Sequence, residues 1–411
     1  MSLLDRPRGV KRMSLEAKPL SVLTSQDLQE LVDSKALEDL THEFKRDLPT
    51  NSEHDRMEFL YDVSSFANSS GGYIIYGLEE LDGEAHELVG VAGVADGNIQ
   101  RLEQLANSGI EPPIPGLHIV AIPLDENQSA MVLHVPRSPV LPHMVCLQGQ
   151  SKFFQRGSNG KHPLGVSEIR VLFERHGSVA RWVREFRAAR LAQIEAEDGP
   201  IPLVGQTMAV LHVVPLAAAD PGFAIDLRRV LAVRQSPLAH PMGVTAHNDR
   251  CNIDGFLTSS ASDPKGRVRS YLQLFRSGCL ESAGSSVLYD RDDSRVFYGN
   301  SYEDTILESL ERHLALLEAV GVPVPLSVML SFVGVRGCIV LRTGPQAVHH
   351  AWEPEFDRSI RNDALLLPEV VLESYSADVK CMLRPAFDAL WNASGYDGSP
   401  SYNDKGDWVR Q

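Results

Sequence analysis

The stretch that decides the fold of the first half of the chain is SSFANSSGGYIIYGLEE, residues 64–80. The stretch begins inside a helix that has an apolar face. Ser52 is the capping residue at the N-terminus of this helix, and the helix ends near Asn68. The pair Gly71-Gly72 supplies the turn, since glycine adopts positive φ angles without steric cost. The apolar run at 73–76 then predicts a short buried strand.

The sequence on both sides of this stretch predicts further strands. Residues 37–45 alternate between apolar and polar side chains and read as extended. Residues 117–124 and 130–135 are separated by a polar turn and predict a hairpin. Another strand is expected at 151–155. The fold class is therefore α+β, with a mixed, mainly antiparallel sheet and helices on one face.

The length of 411 residues predicts two or three domains. A helix is expected to begin at Glu168, and a second, amphipathic and arginine-rich, at Ser178, with EDGPIP marking its end. The predicted organisation is a flexible basic tail at 1–20, a first domain at 21–176, an arginine-rich linker helix at 177–199 and a second α+β domain of unknown role at 200–411. The tail reads as a solvated terminus or as an arm that touches phosphates.

Charge and composition limit the classes of function. Lys and Arg total 39 against 54 Asp and Glu, a net charge of −15, so nucleic acid is repelled except at a local basic patch. The five cysteines form no CxxC pair, which favours free thiols in a reducing compartment. Neither a signal-peptide core nor an apolar run of about 18 residues is present. We expect a cytoplasmic protein without a membrane partner.

Four glutamates are candidate catalytic and metal-binding residues. Glu38 and Glu43 flank the first extended segment, and Glu79 and Glu80 follow the strand at 73–78. If the two strands are neighbours, three of these carboxylates converge, and such oxygen ligands suit Mg²⁺ or Mn²⁺ acting on a phosphodiester. The alternative is a solvated acidic rim, because residues 21–176 hold 23 acidic residues against 11 Lys and Arg.

Cations are expected to provide the phosphate contacts. The strand that ends in FFQRG leads into a Gly-Ser-Asn-Gly-Lys loop, which is too short for a P-loop. This loop is either a phosphate-binding loop or an ordinary hairpin. The arginines of the linker helix either follow a phosphate backbone or pair with acids of the same chain or a partner subunit. The residues predicted to contact nucleic acid are Lys45, Arg46, Arg156, Lys161, Arg181, Arg184 and Arg187.

Three segments, 38–45, 64–80 and 152–169, occur in an order and at distances that resemble the Schlafen-type AlbA domain. The middle one follows the pattern FAN-x-x-GG-hydrophobic-hydrophobic-x-G-x-acidic-acidic. The resemblance covers about residues 25–176. The resemblance implies a protein that binds DNA or RNA and has a regulatory or defence effector role. It does not extend to residues 200–411, for which it implies no function.

In nuclease members of the Schlafen family, two glutamates five residues apart and an acidic residue after the Gly-x turn form the active site. The resemblance thus implies Glu38, Glu43 and either Glu79 or Glu80 as ligands of Mg²⁺ or Mn²⁺, although this sequence has Glu-Glu where Asp-Asp is common. The alternative function is a divalent-metal-dependent endoribonuclease acting on structured RNA such as tRNA. Without catalysis no cofactor is expected.

A further alternative is a sensing or oligomerisation protein without catalysis, in which residues 200–411 provide the sensing or dimer-forming module. A homodimer is predicted, because a two-fold axis brings two weak basic faces to one duplex.

Overall fold

The computed structural model describes residues 15, 20–125, 127–147, 149–157, 160–245, 247–285, 287, 289–291, 294–341, 358–403 and 405–409. The predicted basic tail at 1–20 therefore lies almost entirely outside the described residues. The chain divides into two structural units, Met1–Gly177 and Ser178–Gln411. Within the described parts of the chain, no helix is long and apolar enough to span a bilayer.

The first unit alternates short strands with three helices and ends in the first part of a fourth. Its elements are α1 (Ser25–Asp33), β1 (His42–Lys45), α2 (Glu53–Ala67), β2 (Gly71–Tyr76), β3 (Leu78–Leu81), β4 (Glu84–Leu88), β5 (Val91–Ala92), α3 (Ala95–Gly109), β6 (Ile110–Glu111), β7 (His118–Pro123), β8 (Gln128–Pro136), β9 (Met144–Leu147), β10 (Gln150–Gly157), β11 (Gly160–Pro163) and α4 (Val166–Glu195).

The strands of the first unit form a mixed, mainly antiparallel arrangement. The main sheet runs β1-β2-β8-β5, with β7 also paired to β8. Only β1 and β2 in this sheet are parallel, with Glu43 opposite Ile74, and β7 and β8 form the predicted hairpin. A second sheet runs β11-β10-β9-β6, and β3 pairs with β4. The expected α+β class is confirmed.

Helices cover both faces of the main sheet, whereas the sequence predicted helices on one face. Phe59 of α2 packs in one apolar cluster with Ile74. Leu28 of α1 packs in another cluster with Phe44 and Ile75. Successive residues of a strand point to opposite faces, so the fully buried β2 needs a cover on each side. The short helix α1 supplies the second cover.

The turn between α2 and β2 follows the prediction. Ser52 Oγ accepts a hydrogen bond of 3.1 Å from the backbone N–H of Asp55 and caps α2. Gly71 has φ +73°, and a Cβ atom built there would lie 2.4 Å from the backbone nitrogen of Arg137. The turn therefore requires glycine for its conformation and for the close approach of two backbone segments.

Replacing Gly71 with alanine is expected to destabilise the first unit by about 1–3 kcal/mol, the cost of a non-glycine residue held at an unfavourable φ, with the backbone clash in addition. Chemical denaturation of the full chain measures this loss. Gly83→Ala is the control, because Gly83 also has positive φ but a Cβ atom at this position would have no neighbour within 4 Å. Equal losses in the two variants would contradict the role of close backbone approach.

Helix α4 is a single helix of 30 residues, where the sequence predicted two helices beginning at Glu168 and Ser178. The boundary between the structural units falls inside it, after Gly177. A glycine inside a helix costs only about 1 kcal/mol relative to alanine and does not end it. The next helix-breaking residues are Gly199 and Pro200, beyond the C-terminus of α4.

The second unit is built on an eight-stranded sheet of order β13-β14-β15-β16-β12-β19-β21, with β22 also paired to β19. A three-stranded sheet runs β17-β18-β20. Its elements are β12 (Met208–Pro215), α5 (Leu227–Val233), β13 (Asn248–Cys251), β14 (Gly255–Ser259), β15 (Ser270–Phe275), β16 (Leu280–Gly284), β17 (Tyr289–Arg291), β18 (Ser294–Tyr298), α6 (Gly299–Val320), β19 (Leu326–Val333), β20 (Ile339–Leu341), β21 (Ala364–Leu366), β22 (Val370–Leu372) and α7 (Val379–Ala393).

The eight-stranded sheet is covered on both faces. Leu310 of α6 and Phe387 of α7 belong to the larger apolar cluster, together with Leu211 of β12. Leu191 of α4 packs with Val210 in a smaller cluster. The second unit is thus α+β, as expected.

Candidate functional site

The candidate site of the first unit lies where β1 faces α2. Glu43 of β1 is buried, and its two carboxylate oxygens lie 2.5 Å from Lys45 Nζ and 2.5 Å from Arg156 Nη2. Burial acts to raise the pKa of Glu43, but the ion pairs with Lys45 and Arg156 outweigh it and lower the pKa. Glu43 is therefore an ionised carboxylate with a cation on each oxygen.

Arg156 of β10 lies inside the unit, with its side chain 5% exposed. Its guanidinium also donates to the carbonyl oxygens of Asp39 (2.9 Å) and His42 (3.2 Å) and stands 4.4 Å above the centre of the Phe66 ring. These bonds cover the outer edge of β1, an edge strand. Arg156 was predicted to contact nucleic acid, but here it is enclosed by internal partners.

Lys161 of β11 pairs with two carboxylates of α2. Its Nζ lies 2.6 Å from Glu58 Oε2 and 2.7 Å from Asp62 Oδ1. Asp62 is 3% exposed, and burial raises its pKa, against the opposing charges of Lys161 and Lys45. Asp62 was not among the predicted site residues. The available signal was a carboxylate between Leu60 and Val63 on the apolar face of the α2 helix.

The hairpin of β10 and β11 brings two cations together, because Arg156 is directly opposite Lys161 in the register. Like charges in directly opposed positions destabilise a strand pair. The carboxylates of Glu43, Asp62 and Glu58 surround this pair and balance it. The three acidic side chains are thus the counter-ions of the two cations on this hairpin.

The remaining predicted acids each have a local partner. Glu38 Oε1 accepts a 2.7 Å hydrogen bond from the Phe44 N–H, and its pKa is raised by burial and by the charges of Glu43 and Glu80. Glu79 Oε2 lies 2.5 Å from Arg46 Nη1. Glu80 Oε2 accepts a 2.7 Å hydrogen bond from the Gly83 N–H.

Both carboxylate oxygens of Glu43 face cations in this arrangement. β1 and β2 are neighbours, which meets the condition set for convergence of the carboxylates, and each oxygen of Glu43 contacts a cation, Lys45 or Arg156. Among the residues that the structure describes, no group of three His, Cys, Asp or Glu side chains could hold a metal ion. The Mg²⁺ or Mn²⁺ site at Glu38, Glu43 and Glu79 or Glu80 therefore stays a prediction.

Three predicted cations reach the surface of the first unit. The side chains of Lys45 and Arg46 are 39% and 55% exposed, and Lys161 is partly exposed. Burial acts to lower the pKa of Lys45, but the charges of Asp62, Glu43 and Glu38 raise it overall, so Lys45 stays charged. Lys45 also lines an open cleft of about 880 Å³, together with Glu58, Asp62 and Tyr76.

The three arginines of α4 lie in the second unit. Arg181 is exposed. Arg184 Nε lies 3.6 Å from Glu369, and Arg187 Nη1 lies 3.4 Å from the carbonyl oxygen of Leu367. Burial lowers the pKa of Arg187, although Glu369 opposes this effect. Arg184 thus lies beside an acid of the same chain, as one of the two alternatives had it, whereas the hydrogen bond of Arg187 is to a backbone carbonyl.

Comparison with known proteins agrees with the sequence pattern. Residues 38–165 match the family described as Schlafen, AlbA_2. The matched range includes the strands β1 and β2 and the hairpin of β10 and β11. The chain therefore contains a Schlafen-type AlbA domain. None of the curated proteins compared with the chain matches it.

Two solved structures show local similarity. One is the N-terminal domain of a protein from Nitrosomonas europaea described as ATP-dependent DNA helicase RecG-related, with 20% identity, TM-score 0.22, and coverage of 28% of this chain and 74% of that chain. The other is the DIP2311 protein from Corynebacterium diphtheriae, with 16% identity and TM-score 0.23. That match covers 52% of this chain but only 34% of the Corynebacterium chain.

Proposed function

We propose that the Schlafen-type AlbA domain binds nucleic acid, DNA or RNA, through phosphate contacts of Lys45, Arg46 and Lys161. The supporting observation is that Lys45 and Lys161, which are 116 residues apart in the sequence, both interact with the carboxylate of Asp62. Arg46 directly follows Lys45 and is the most exposed of the three. A regulatory or defence effector role is part of the same proposal.

The charge of the unit determines what kind of binding is expected. Residues 21–176 carry 23 acidic residues against 11 Lys and Arg, so the long-range field repels a polyanion. Attraction comes only from the cations at the contact, within a Debye length of about 10 Å at 0.1 M salt. We therefore expect weak, sequence-independent binding with a small number of phosphate contacts.

The double variant Lys45→Met/Arg46→Gln tests this proposal. Each lost phosphate contact should lower the slope of log affinity against log salt by about 1, so the two changes together should lower it by about 2. Fluorescence anisotropy with labelled RNA and DNA oligonucleotides measures the slope. Lys35→Met is the control, because Lys35 is a surface lysine paired with Glu84 outside the proposed contact.

Unchanged affinity and salt slope in the double variant, with Lys35→Met also unchanged, would contradict the proposal for these cations. Equal losses in the double variant and in Lys35→Met would show that only the total charge of the chain matters.

A second candidate is the endoribonuclease acting on structured RNA such as tRNA. The observation in its favour is that Glu43 and Glu80 lie close enough to Glu38 to raise the pKa of its carboxyl group. Cleavage of tRNA in the presence of Mn²⁺ by the parent protein, and its loss in Glu38→Gln, would support this candidate. Absence of cleavage by the parent would remove it.

The homodimer and the sensing role of residues 200–411 are proposals of the same kind. Light scattering on the full chain tests the dimer: a monomeric mass at micromolar concentration would contradict it.

A further inference from the structure

We propose that Glu58 is a built-in competitor for phosphate at Lys161, which a nucleic-acid phosphate must displace in order to bind. This inference rests on the proposed function, since it concerns how one of the three binding cations becomes available. In this inference Glu58 limits the affinity for nucleic acid, although its own side chain contacts no ligand.

The two carboxylate partners of Lys161 differ in exposure. Glu58 is 45% exposed, whereas Asp62 is 3% exposed and belongs to the buried side of α2. An exposed ion pair contributes little free energy, because water solvates both groups when they separate. A buried carboxylate that loses its cation is left without solvation. Glu58 is therefore the exchangeable partner, and Asp62 is the permanent one.

A phosphate that replaces Glu58 would meet a less negative local charge. Lys45, Lys161 and Arg156 provide three positive charges, and Glu43, Asp62 and Glu38 provide three negative charges. With Glu58 in place this group carries one negative charge, and with Glu58 displaced it is neutral. The Glu58 carboxylate therefore opposes the approach of a phosphate to Lys161 as long as it stays in place.

The space beside the ion pair admits such an exchange. Glu58, Asp62 and Lys45 all line the cleft of about 880 Å³, which is open to solvent. Lys161 itself does not line this cleft, but its side chain is 21% exposed beside Glu58. A phosphate oxygen can therefore reach Lys161 when the Glu58 side chain rotates into solvent, while Asp62 keeps its 2.7 Å bond to Lys161. The same geometry would accept a free phosphate ion, so the experiment must separate the two sources.

Glu58→Gln tests the inference. It should raise oligonucleotide affinity at low salt by about two- to fivefold, the range that one partly exposed ion pair contributes. Glu103→Gln on α3 is the matched control, since it changes the net charge equally and Glu103 forms none of the described ion pairs. In a double-mutant cycle, Lys161→Met should remove the gain from Glu58→Gln. Inorganic phosphate added as a competitor should reduce the gain if free phosphate occupies the same place.

The outcomes separate this inference from the proposed function. If the parent chain binds but Glu58→Gln gains no more than Glu103→Gln, or gains equally with Lys161→Met, the competitor role is overturned and the proposed function stands. If the parent chain retains no oligonucleotide at low salt, both are overturned.

Lysine acetylation provides a second measurement if Lys161→Met does not fold. Bound oligonucleotide should protect Lys161 from acetylation, more strongly in Glu58→Gln than in the parent, and should leave Lys35 unprotected. Equal protection of Lys161 and Lys35 would overturn the inference.

Discussion

Glu43→Gln is expected to destabilise the first unit by about 3–5 kcal/mol, the cost of breaking a buried ion pair by removing one partner. The change leaves the Arg156 guanidinium, 5% exposed, without its counter-ion. Arg156 and Lys161 are directly opposed cations, and the change also removes one of the carboxylates that balance their charge. We expect the loss to appear in the pairing of β10 and in the outer edge of β1.

Hydrogen exchange of the β1 and β10 amides in the full chain measures this effect without interference from the second unit. Glu79→Gln is the control, because Glu79 pairs with the exposed Arg46, and water solvates both groups when such a pair separates, so the pair should contribute little to stability. A Glu43→Gln variant as stable as Glu79→Gln would contradict the counter-ion role of Glu43.

The structural role of Glu43 limits what an activity measurement on its variants can show. Loss of any activity in Glu43→Gln follows from loss of structure and does not identify a metal ligand. Glu38 offers a cleaner test, because its carboxylate is half-buried and bonds a single backbone N–H, that of Phe44.

Glu281→Gln is expected to cause a loss of similar size, about 3–5 kcal/mol, in the second unit. Glu281 of β16 is fully buried, and Arg190 of α4 donates to its two oxygens at 2.8 and 2.9 Å. His212 Nε2 lies 2.9 Å from the same carboxylate, and the Tyr271 hydroxyl donates to it at 2.7 Å. The variant leaves Arg190 without a full counter-charge where α4 packs on the sheet.

The pH dependence of stability gives an independent check on Glu281. Burial acts to raise its pKa, but Arg190 and His212 lower it from 4.5 to about 2. A carboxyl group with a lowered folded-state pKa contributes stability that is complete above its unfolded pKa and is lost as the pH falls through the folded value. The parent chain should therefore lose stability between about pH 4.5 and 2, and Glu281→Gln should lose less in this range.

Denaturant unfolding at several pH values measures this difference. Glu195→Gln, at the exposed end of α4, is the control and should follow the parent. Parallel pH curves for the parent and Glu281→Gln would show that the Arg190 pair does not lower the pKa of Glu281.

Local patterns in the sequence were sufficient for much of the first unit. The apolar run at 73–76, the glycine pair and the polar turn before Ala130 encode β2 and the β7–β8 hairpin through neighbouring residues alone. The adjacency of β1 and β2, which the sequence left open, is a finding of the structure. The position of helix α1 on the second face of the sheet was not predicted, because local sequence periodicity does not show which face of a sheet a helix covers.

The candidate site could be predicted only in part, because its contacts join residues far apart in the chain. Arg156 and Glu43 are 113 residues apart, and Lys161 and Asp62 are 99 apart. Sequence spacing indicates which charges exist but not which of them pair. Arg156 is consequently internal. Asp62, which was not among the predicted site residues, forms an ion pair with Lys161 and interacts electrostatically with Lys45.

The most direct test of the central claim is the binding of a labelled oligonucleotide to the full chain as salt is raised. We expect retention at low salt and a linear fall of log affinity with log salt, with a shallow slope that reflects about three phosphate contacts. No retention of either RNA or DNA at low salt would contradict the claim that the cations beside Asp62 bind nucleic acid.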